Sequence, residues 1–159
     1  MLQVFRTHRN DLRILCIGPT NHNVLSLATV VEAVLSEENA KDISAWLLQS
    51  DRAAWKGSKA SFRHVKAASF QHGHVLIRKQ GSQVVVCTAG ILQKPIHHWT
   101  DSLQQFEREF DYILLDEGSQ IVDVNCFVFE TFLRRGGRIF RFGDTKQLSC
   151  FSSLGLRRY

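Results

Sequence analysis

The sequence predicts one α/β domain built around a mainly parallel β-sheet. Short apolar runs alternate along the chain with segments whose apolar residues recur at helical spacing. The runs are apolar at consecutive positions, which indicates strands covered on both faces, as in parallel sheets. With 159 residues and 44% hydrophobic content, the chain is long enough for one domain with a substantial core. A layered α/β architecture accommodates this order of elements.

The first third of the sequence predicts a strand followed by two helices. "RILCIGPT" (13–20) is an apolar run that stops at Pro19-Thr20. "DISAWLLQSDRAAW" (42–55) predicts a helix with Asp42 near its start, and the basic stretch 56–74 is left unassigned. The first helix is predicted from apolar residues at helical spacing after the strand: Val24, Leu27, Ala28, Val31 and Leu35.

The remainder predicts three further strands with helices between them. "SQVVVCTAG" (82–90) and the start of "FDYILLDEGSQ" (110–120) are predicted strands. The helix predicted between them covers 99–110, with Leu103, Phe106 and Phe110 on one face. A last helix is expected over 121–135, ended by Gly136-Gly137. The segment "RIFRFGDTKQL" (138–148) then predicts a strand followed by a turn.

The composition indicates the cellular compartment of the protein more clearly than its function. Twenty Lys and Arg against fifteen Asp and Glu give a net charge of +5, which suits a polyanionic partner without requiring one. The four cysteines form no C-x-x-C pair, the histidines form no zinc-ligand spacing, and the arginine-containing start lacks the apolar core of a signal peptide. An intracellular protein of the cytoplasm or nucleus, with no membrane partner, is expected.

Polar residues gather where four predicted strands end. Because the carboxyl ends of parallel strands share one sheet edge, these residues are expected to form a polar crevice, the usual ligand site of open α/β sheets. Asp116 could hold a hydrated magnesium ion while Glu117 orients or deprotonates a water. Equally, both carboxylates could cap the helix that follows. The strand ends concerned are Thr20-Asn21, Thr88, Asp116-Glu117 and Gly143-Asp144.

Four segments, taken in order, resemble the motifs of a known family: "LCIGPTNHNVLSL", "VVVCTAG", "YILLDEGSQ" and "RFGDTKQLS". They are similar to the first RecA-like domain of superfamily 1 helicases, in the branch of the nonsense-mediated-decay helicase and senataxin. The resemblance covers about residues 12 to 150 and implies a three-layer RecA-like domain of the P-loop NTPase type. Residues 1–159 are then a partial helicase domain, with motif segments at about 14–28, 84–90, 112–120 and 139–148.

The resemblance implies a role for each matching residue. Asp116 would coordinate Mg²⁺ through water, and Glu117 would be the base that activates water against the γ-phosphate of ATP. Gln147 would sense that phosphate, while Gln120 and Asp144 would help to link the nucleotide site to the nucleic acid. Single-stranded RNA or DNA would be held along its backbone, without reading of its sequence. The residues implied in that grip are Thr20 and Asn21 in the first motif and Thr88 in the second.

The sequence also departs from the family pattern. Gly18 and Gly118 stand where the family often has alanine. More seriously, no G-x-x-x-x-G-K-[ST] phosphate loop occurs within residues 1–159, and in the family this loop precedes the matching segments. Without the amides and lysine of that loop, the β- and γ-phosphates of ATP lose their main electrostatic cradle. We therefore expect an incomplete RecA-like domain whose sheet lacks one inner strand, and whose partners include the remainder of the helicase.

Three functions stay open on sequence grounds. The chain is part of an ATP-dependent helicase motor, or it is a catalytically inactive helicase-like module that binds nucleic acid or protein. The third reading is a metal-dependent nuclease in which Asp116 and Asp144 hold a metal and Lys146 assists an attacking water. That reading leaves Gln147 and Thr20-Asn21 without a role.

Overall fold

The fold is an α/β arrangement of six parallel strands with helices on both faces of the sheet. A computed structural model of the 159-residue chain describes residues 11–37, 40, 42–49, 62–69, 81–93, 108–121 and 123–144. The strands are β1 (Arg13–Gly18), β2 (Ser44–Gln49), β3 (Val65–Ser69), β4 (Gln83–Thr88), β5 (Phe110–Leu115) and β6 (Leu133–Arg141). The helices are α1 (Asn21–Glu37), α2 (Ala89–Gln93) and α3 (Asp123–Glu130).

All the strand pairs in this sheet are parallel, in the order β3-β2-β4-β1-β5-β6. The prediction of a parallel sheet is therefore confirmed. Strands β1 and β4 are buried along their whole length, as their uninterrupted apolar runs predict. Each inner strand is bonded on both sides, so a strand beyond these six could join only beside β3 or β6.

Two hydrophobic clusters lie on opposite faces of the sheet and give it three layers. Successive residues of β1 alternate between them, because neighbouring side chains of a strand point to opposite faces. Ile14 and Cys16 pack with α1, whereas Leu15 and Ile17 pack with α2 and α3. Helix α1 contributes the spacing predicted from sequence, with Val24, Ala28, Val31 and Leu35 buried and Leu27 partly buried.

The prediction of a helix over 42–55 is wrong for the residues that can be compared. Residues 44–49 form β2, which pairs with β3 on one side and β4 on the other. Leu47 enters the cluster under α1, while its neighbour Leu48 enters the cluster on the opposite face. A strand buried on both faces carries consecutive apolar residues, and a short run such as the four at 45–48 cannot be told from part of a buried helix by periodicity alone. Strand β3 lies within the stretch that the sequence left unassigned.

The predicted helix 121–135 is shorter, and the glycines do not end it. Helix α3 ends at Glu130, and Gly136-Gly137 lie inside β6. Phe110 pairs with Leu133 and Tyr112 pairs with Arg138, so six residues of β6 stand opposite three of β5. The extra residues form a bulge, in which Gly136 has φ 84°. Glycine adopts this positive φ readily because it has no Cβ atom.

Most of the predicted helix 99–110 lies outside the described residues. Its last residue, Phe110, begins β5 and is fully buried there. Among the helices of the described segments, none has the length and apolar character needed to cross a membrane.

Candidate functional site

Four neighbouring strands bring the predicted site segments to one edge of the sheet. In the order β4-β1-β5-β6, the segments that follow are Thr88, Thr20-Asn21, Asp116-Glu117 and Gly143-Asp144. Thr88 stands opposite Gly18 in the pairing of β4 with β1. The Asp116 amide donates to the Ile17 carbonyl at 2.9 Å, which holds the acidic pair against the end of β1. We call this row of residues the carboxyl-edge site.

Glu117 occupies an unusual position in this site. Its backbone is left-handed (φ 48°, ψ 41°), a conformation that costs most residues other than glycine about 1 kcal/mol or more. Its side chain makes no capping hydrogen bond to the 3₁₀ turn Gly118–Gln120 that follows. Its Oε2 atom is buried and has no hydrogen-bond partner. The Glu117 side chain therefore does not cap this turn by a hydrogen bond, and its Oε2 atom is left for some other use.

Arg141, at the end of β6, holds the turn after Glu117 in place. Its Nε and Nη2 atoms donate to the Gly118 carbonyl at 2.9 and 2.6 Å, and Nη2 also donates to the Ile121 carbonyl at 3.2 Å. A Cβ atom added at Gly118 would overlap Cγ of Arg141 and lie 3.0 Å from its Nε. Gly118 therefore allows the guanidinium to approach the turn. The sequence analysis did not identify Arg141, because nothing local in the sequence marks a long-range contact to Gly118.

The backbone joins the two motif segments directly. The Gly118 amide donates to the Phe142 carbonyl at 2.6 Å. A Cβ atom added at Gly143 would lie 3.1 Å from the Gly118 nitrogen and 3.3 Å from Ser119 Oγ. Ser119 Oγ is itself buried without a partner. The "DEGSQ" and "GD" segments are thus packed against each other, with two unsatisfied side-chain oxygens in the acidic turn.

Both threonines of the predicted nucleic-acid grip cap helices. The Thr20 hydroxyl accepts from the Asn23 amide at 3.3 Å and bonds to the Asn23 side-chain oxygen. Thr88 Oγ1 accepts from the Ile91 amide at 3.3 Å, and Thr88 is buried. These are N-cap contacts of α1 and α2. Asn21 is exposed in the first turn of α1.

Of the other predicted site residues, the structure describes two and leaves two outside the described residues. Gln120 is half-buried in the 3₁₀ turn, and Asp144 is exposed after β6. Gln147 and Lys146 lie outside the described residues. Within the described segments, no three His, Cys, Asp or Glu side chains converge as metal ligands.

The two described cysteines are buried in the sheet next to this site. Burial, and then the nearby Asp116 charge, raise the pKa of the Cys16 thiol to about 12. Burial, and then Cys16, also raise the pKa of Cys87. Both thiols therefore stay protonated and behave as small apolar side chains.

One solved structure has a similar fold. It is a nuclease-deletion mutant of the Type ISP restriction-modification enzyme LlaGI, in complex with a DNA substrate mimic. The match has a TM-score of 0.52 and 17% sequence identity, and it covers 96% of this chain. The present chain spans 15% of that chain's length. No protein-family model matches the sequence, and no curated protein does. At this identity the similarity concerns the fold, and together with the six parallel strands it shows a RecA-like α/β domain.

Proposed function

We propose that this chain forms part of an ATP-dependent helicase motor. In this proposal the carboxyl-edge site binds the magnesium side of ATP and, beside it, a single strand of RNA or DNA. The observation that carries the proposal is the contact between the two acidic motif segments, with the buried Glu117 oxygen left unpartnered. A strained residue whose carboxylate meets no partner is typical of a functional site.

On the nucleotide side, two carboxylates have the chemistry that magnesium requires. Asp116 would hold a hydrated Mg²⁺ through water, since this ion keeps several waters and needs only one or two protein carboxylates. The ion would neutralise charge on the phosphates. Glu117 would accept a proton from a water at its unpartnered oxygen. Gln147 would contact the γ-phosphate, and Gln120 and Asp144 would relate this site to the bound strand.

On the nucleic-acid side, Asn21 is the best-placed group. Its amide is exposed at the start of α1, where unpaired backbone N–H groups and the helix dipole favour an anionic phosphate. Thr20 and Thr88 would contribute by fixing the starts of α1 and α2, because their hydroxyls are engaged as caps. Contacts of this kind follow the backbone and are indifferent to base sequence.

The test compares binding of labelled single-stranded and duplex oligonucleotides by fluorescence anisotropy. We expect a preference for the single strand, with an affinity that falls as salt increases. Asn21→Ala should weaken binding several-fold, whereas Thr29→Ala, an exposed change two turns along the same helix, should not. Asp116→Ala should leave strand binding nearly unchanged and abolish Mg²⁺-dependent binding of a fluorescent ATP analogue.

The outcomes separate the remaining functions. Strand binding without any nucleotide binding would leave the inactive module as the better description. Magnesium-dependent cleavage of the strand that disappears in Asp144→Ala would establish the nuclease. Equal binding of single strands and duplexes, insensitive to Asn21→Ala, would contradict the proposed nucleic-acid site.

Because no phosphate loop occurs in these residues, the isolated chain should bind ATP weakly and hydrolyse it negligibly. Ordinary turnover that is lost in Glu117→Gln would show that other groups replace that loop.

A further inference from the structure

A second site lies at the opposite end of the strands from the carboxyl-edge site. A cleft of about 240 Å³ opens at the amino ends of β2 and β3. Its lining includes Trp46, Arg63, His64 and Lys66, and among the described residues that line it none is acidic. We call it the β2–β3 cleft. A cleft lined by cations and an aromatic ring, with no carboxylate, has the composition of an anion site.

Two of the cations in this cleft are not neutralised. Arg63 and Lys66 are exposed, and within the described segments neither side chain pairs with a carboxylate. Glu32 of α1, which contacts this segment, is already engaged. It accepts the amides of Arg63, His64 and Val65 at 2.8, 2.8 and 2.9 Å, and it also meets His64 Nδ1 at 3.0 Å. Glu32 therefore fixes the entry to β3 without neutralising the two side chains.

Trp46 supplies a neutral donor beside these cations. Its indole Nε1 is buried and has no hydrogen-bond partner. An indole N–H can only donate, so its unmet need is for an acceptor. Lys66 Nζ lies 5.7 Å from the centroid of the same ring. The described lining of this cleft therefore contains one unmet donor and two cations that pair with no described carboxylate, and an oxyanion is the partner that all three groups accept.

In another cleft of the molecule, carboxylates balance the charge of an arginine. It lies at the amino ends of β1, β5 and β6 and also contains arginine, but Asp11 and Asp111 line it as well. Arg134 bridges these two carboxylates at 3.4 and 3.3 Å. That cleft provides its own counter-charge, whereas the described lining of the β2–β3 cleft contains no carboxylate.

We propose that the β2–β3 cleft binds a phosphate group, from a free nucleotide or from the backbone of a nucleic acid. The fork of Arg63 suits phosphate oxygens, Lys66 adds a second charge, and the Trp46 indole donates to a remaining oxygen. The indole ring of Trp46, which lines the cleft, is also available to a base or ribose attached to that phosphate. This site is distinct from the carboxyl-edge site and does not depend on the function proposed for it.

The test follows the Trp46 indole N–H by NMR during titration with inorganic phosphate, AMP and a short oligothymidylate. The chain has three tryptophans, and Trp46→Phe identifies the resonance. We expect a saturable shift of this signal with phosphate, and none with chloride at equal ionic strength. Arg63→Ala and Lys66→Ala should each weaken binding by about tenfold, the scale of one hydrogen bond to a charged group.

Arg138→Ala, which removes an exposed arginine of β6, is the matched control and should not alter the titration. Tighter, salt-dependent binding of the oligothymidylate than of AMP identifies a nucleic-acid backbone as the source of the phosphate. Equal or tighter binding of AMP identifies a nucleotide. A shift that does not saturate, that chloride reproduces, or that persists in both Arg63→Ala and Lys66→Ala overturns the proposal.

Discussion

The glycine at position 118 and the placement of the Arg141 side chain depend on each other. The family that the sequence resembles often has alanine at the position of Gly118. Here Arg141 lies against the turn and donates to the Gly118 carbonyl, so a methyl group has no room. Arg141 thus reaches from β6 to pack against Gly118. It also ties the acidic turn to the end of the neighbouring strand.

We therefore predict that Gly118→Ala and Arg141→Ala are each destabilising but not additive. Gly118→Ala should displace the guanidinium, and Arg141→Ala should remove its bonds to two carbonyls, each costing about 1–3 kcal/mol of the free energy of unfolding. In the double variant the added methyl meets no arginine, so the total cost should fall short of the sum by about 1 kcal/mol. Urea unfolding of the four proteins measures this coupling. Strict additivity would show that the two residues do not meet as described.

At the same scale, Glu32 makes stability depend on pH. Burial alone would raise its pKa, but the amides of Val65, Arg63 and His64, together with the His64 side chain, lower it to about 2 from a usual 4.5. A carboxylate with a depressed pKa stabilises the fold above its unfolded pKa, and this contribution disappears as the pH falls from about 4.5 towards 2.

Glu32→Gln should accordingly destabilise the protein by about 2 kcal/mol at neutral pH, since four hydrogen bonds lose their charged acceptor. Denaturant unfolding at several pH values should show the difference from the unaltered protein shrinking below pH 4.5. Glu37→Gln, an exposed change on the same helix, is the control and should matter little. A difference that stays constant down to pH 3 would contradict this account of Glu32.

At the scale of elements, the sequence correctly predicted helices and strands that have a local periodic pattern. It missed strands whose identity depends on pairing with other strands. The helix α1 and the strands β1, β4 and β5 follow from periodicity, and their bounds differ little from those expected. Strand β2 was predicted as a helix, because a few apolar residues on a strand buried on both faces resemble one helical face. The start of β6 was assigned to the preceding helix, because its pairing with β5 has no local signature.

The bulge in β6 provides a test at this scale. A Cβ atom added at Gly137 would lie 2.9 Å from the Asp111 carbonyl oxygen and 3.0 Å from that of Arg134. Gly137→Ala should therefore separate β5 from β6 and cost about 1–3 kcal/mol, the range of overpacking. Gly90→Ala is the matched control, because Gly90 is helical and a Cβ there meets nothing within 4 Å. Gly90→Ala should be neutral or stabilising by up to about 1 kcal/mol in thermal unfolding. Equal effects of the two changes would show that the bulge does not need glycine.

For the whole molecule, the sequence predicted which segments meet but not how their side chains are used. A parallel sheet brings the carboxyl ends of its strands to one edge, so the grouping of Asp116, Thr88 and Asn21 follows from topology alone. The roles of Thr20 and Thr88 as caps, the left-handed Glu117 and the clamp from Arg141 depend on three-dimensional packing. The β2–β3 cleft was missed because its first strand was predicted as a helix.

The outer strand of the sheet determines how the molecule should behave at high concentration. Among the described strands, β6 is bonded only to β5, and Phe140 and Phe142 at its end are 41% and 55% exposed. An exposed edge with aromatic side chains favours association with another edge. The arginines of the same strand oppose this, because two copies would bring like charges together: Arg134, Arg135, Arg138 and Arg141.

We predict that the protein self-associates and that salt promotes it, since screening weakens the repulsion between arginines while leaving the apolar contact intact. Sedimentation velocity from about 0.05 M to about 0.5 M salt should show the average mass rising, opposite to the effect of salt on strand binding. Replacing both Phe140 and Phe142 with lysine should suppress the association. Val30→Lys, at a side chain 57% exposed on α1, should not. Association that falls with salt, or that Val30→Lys abolishes, would place the contact away from β6.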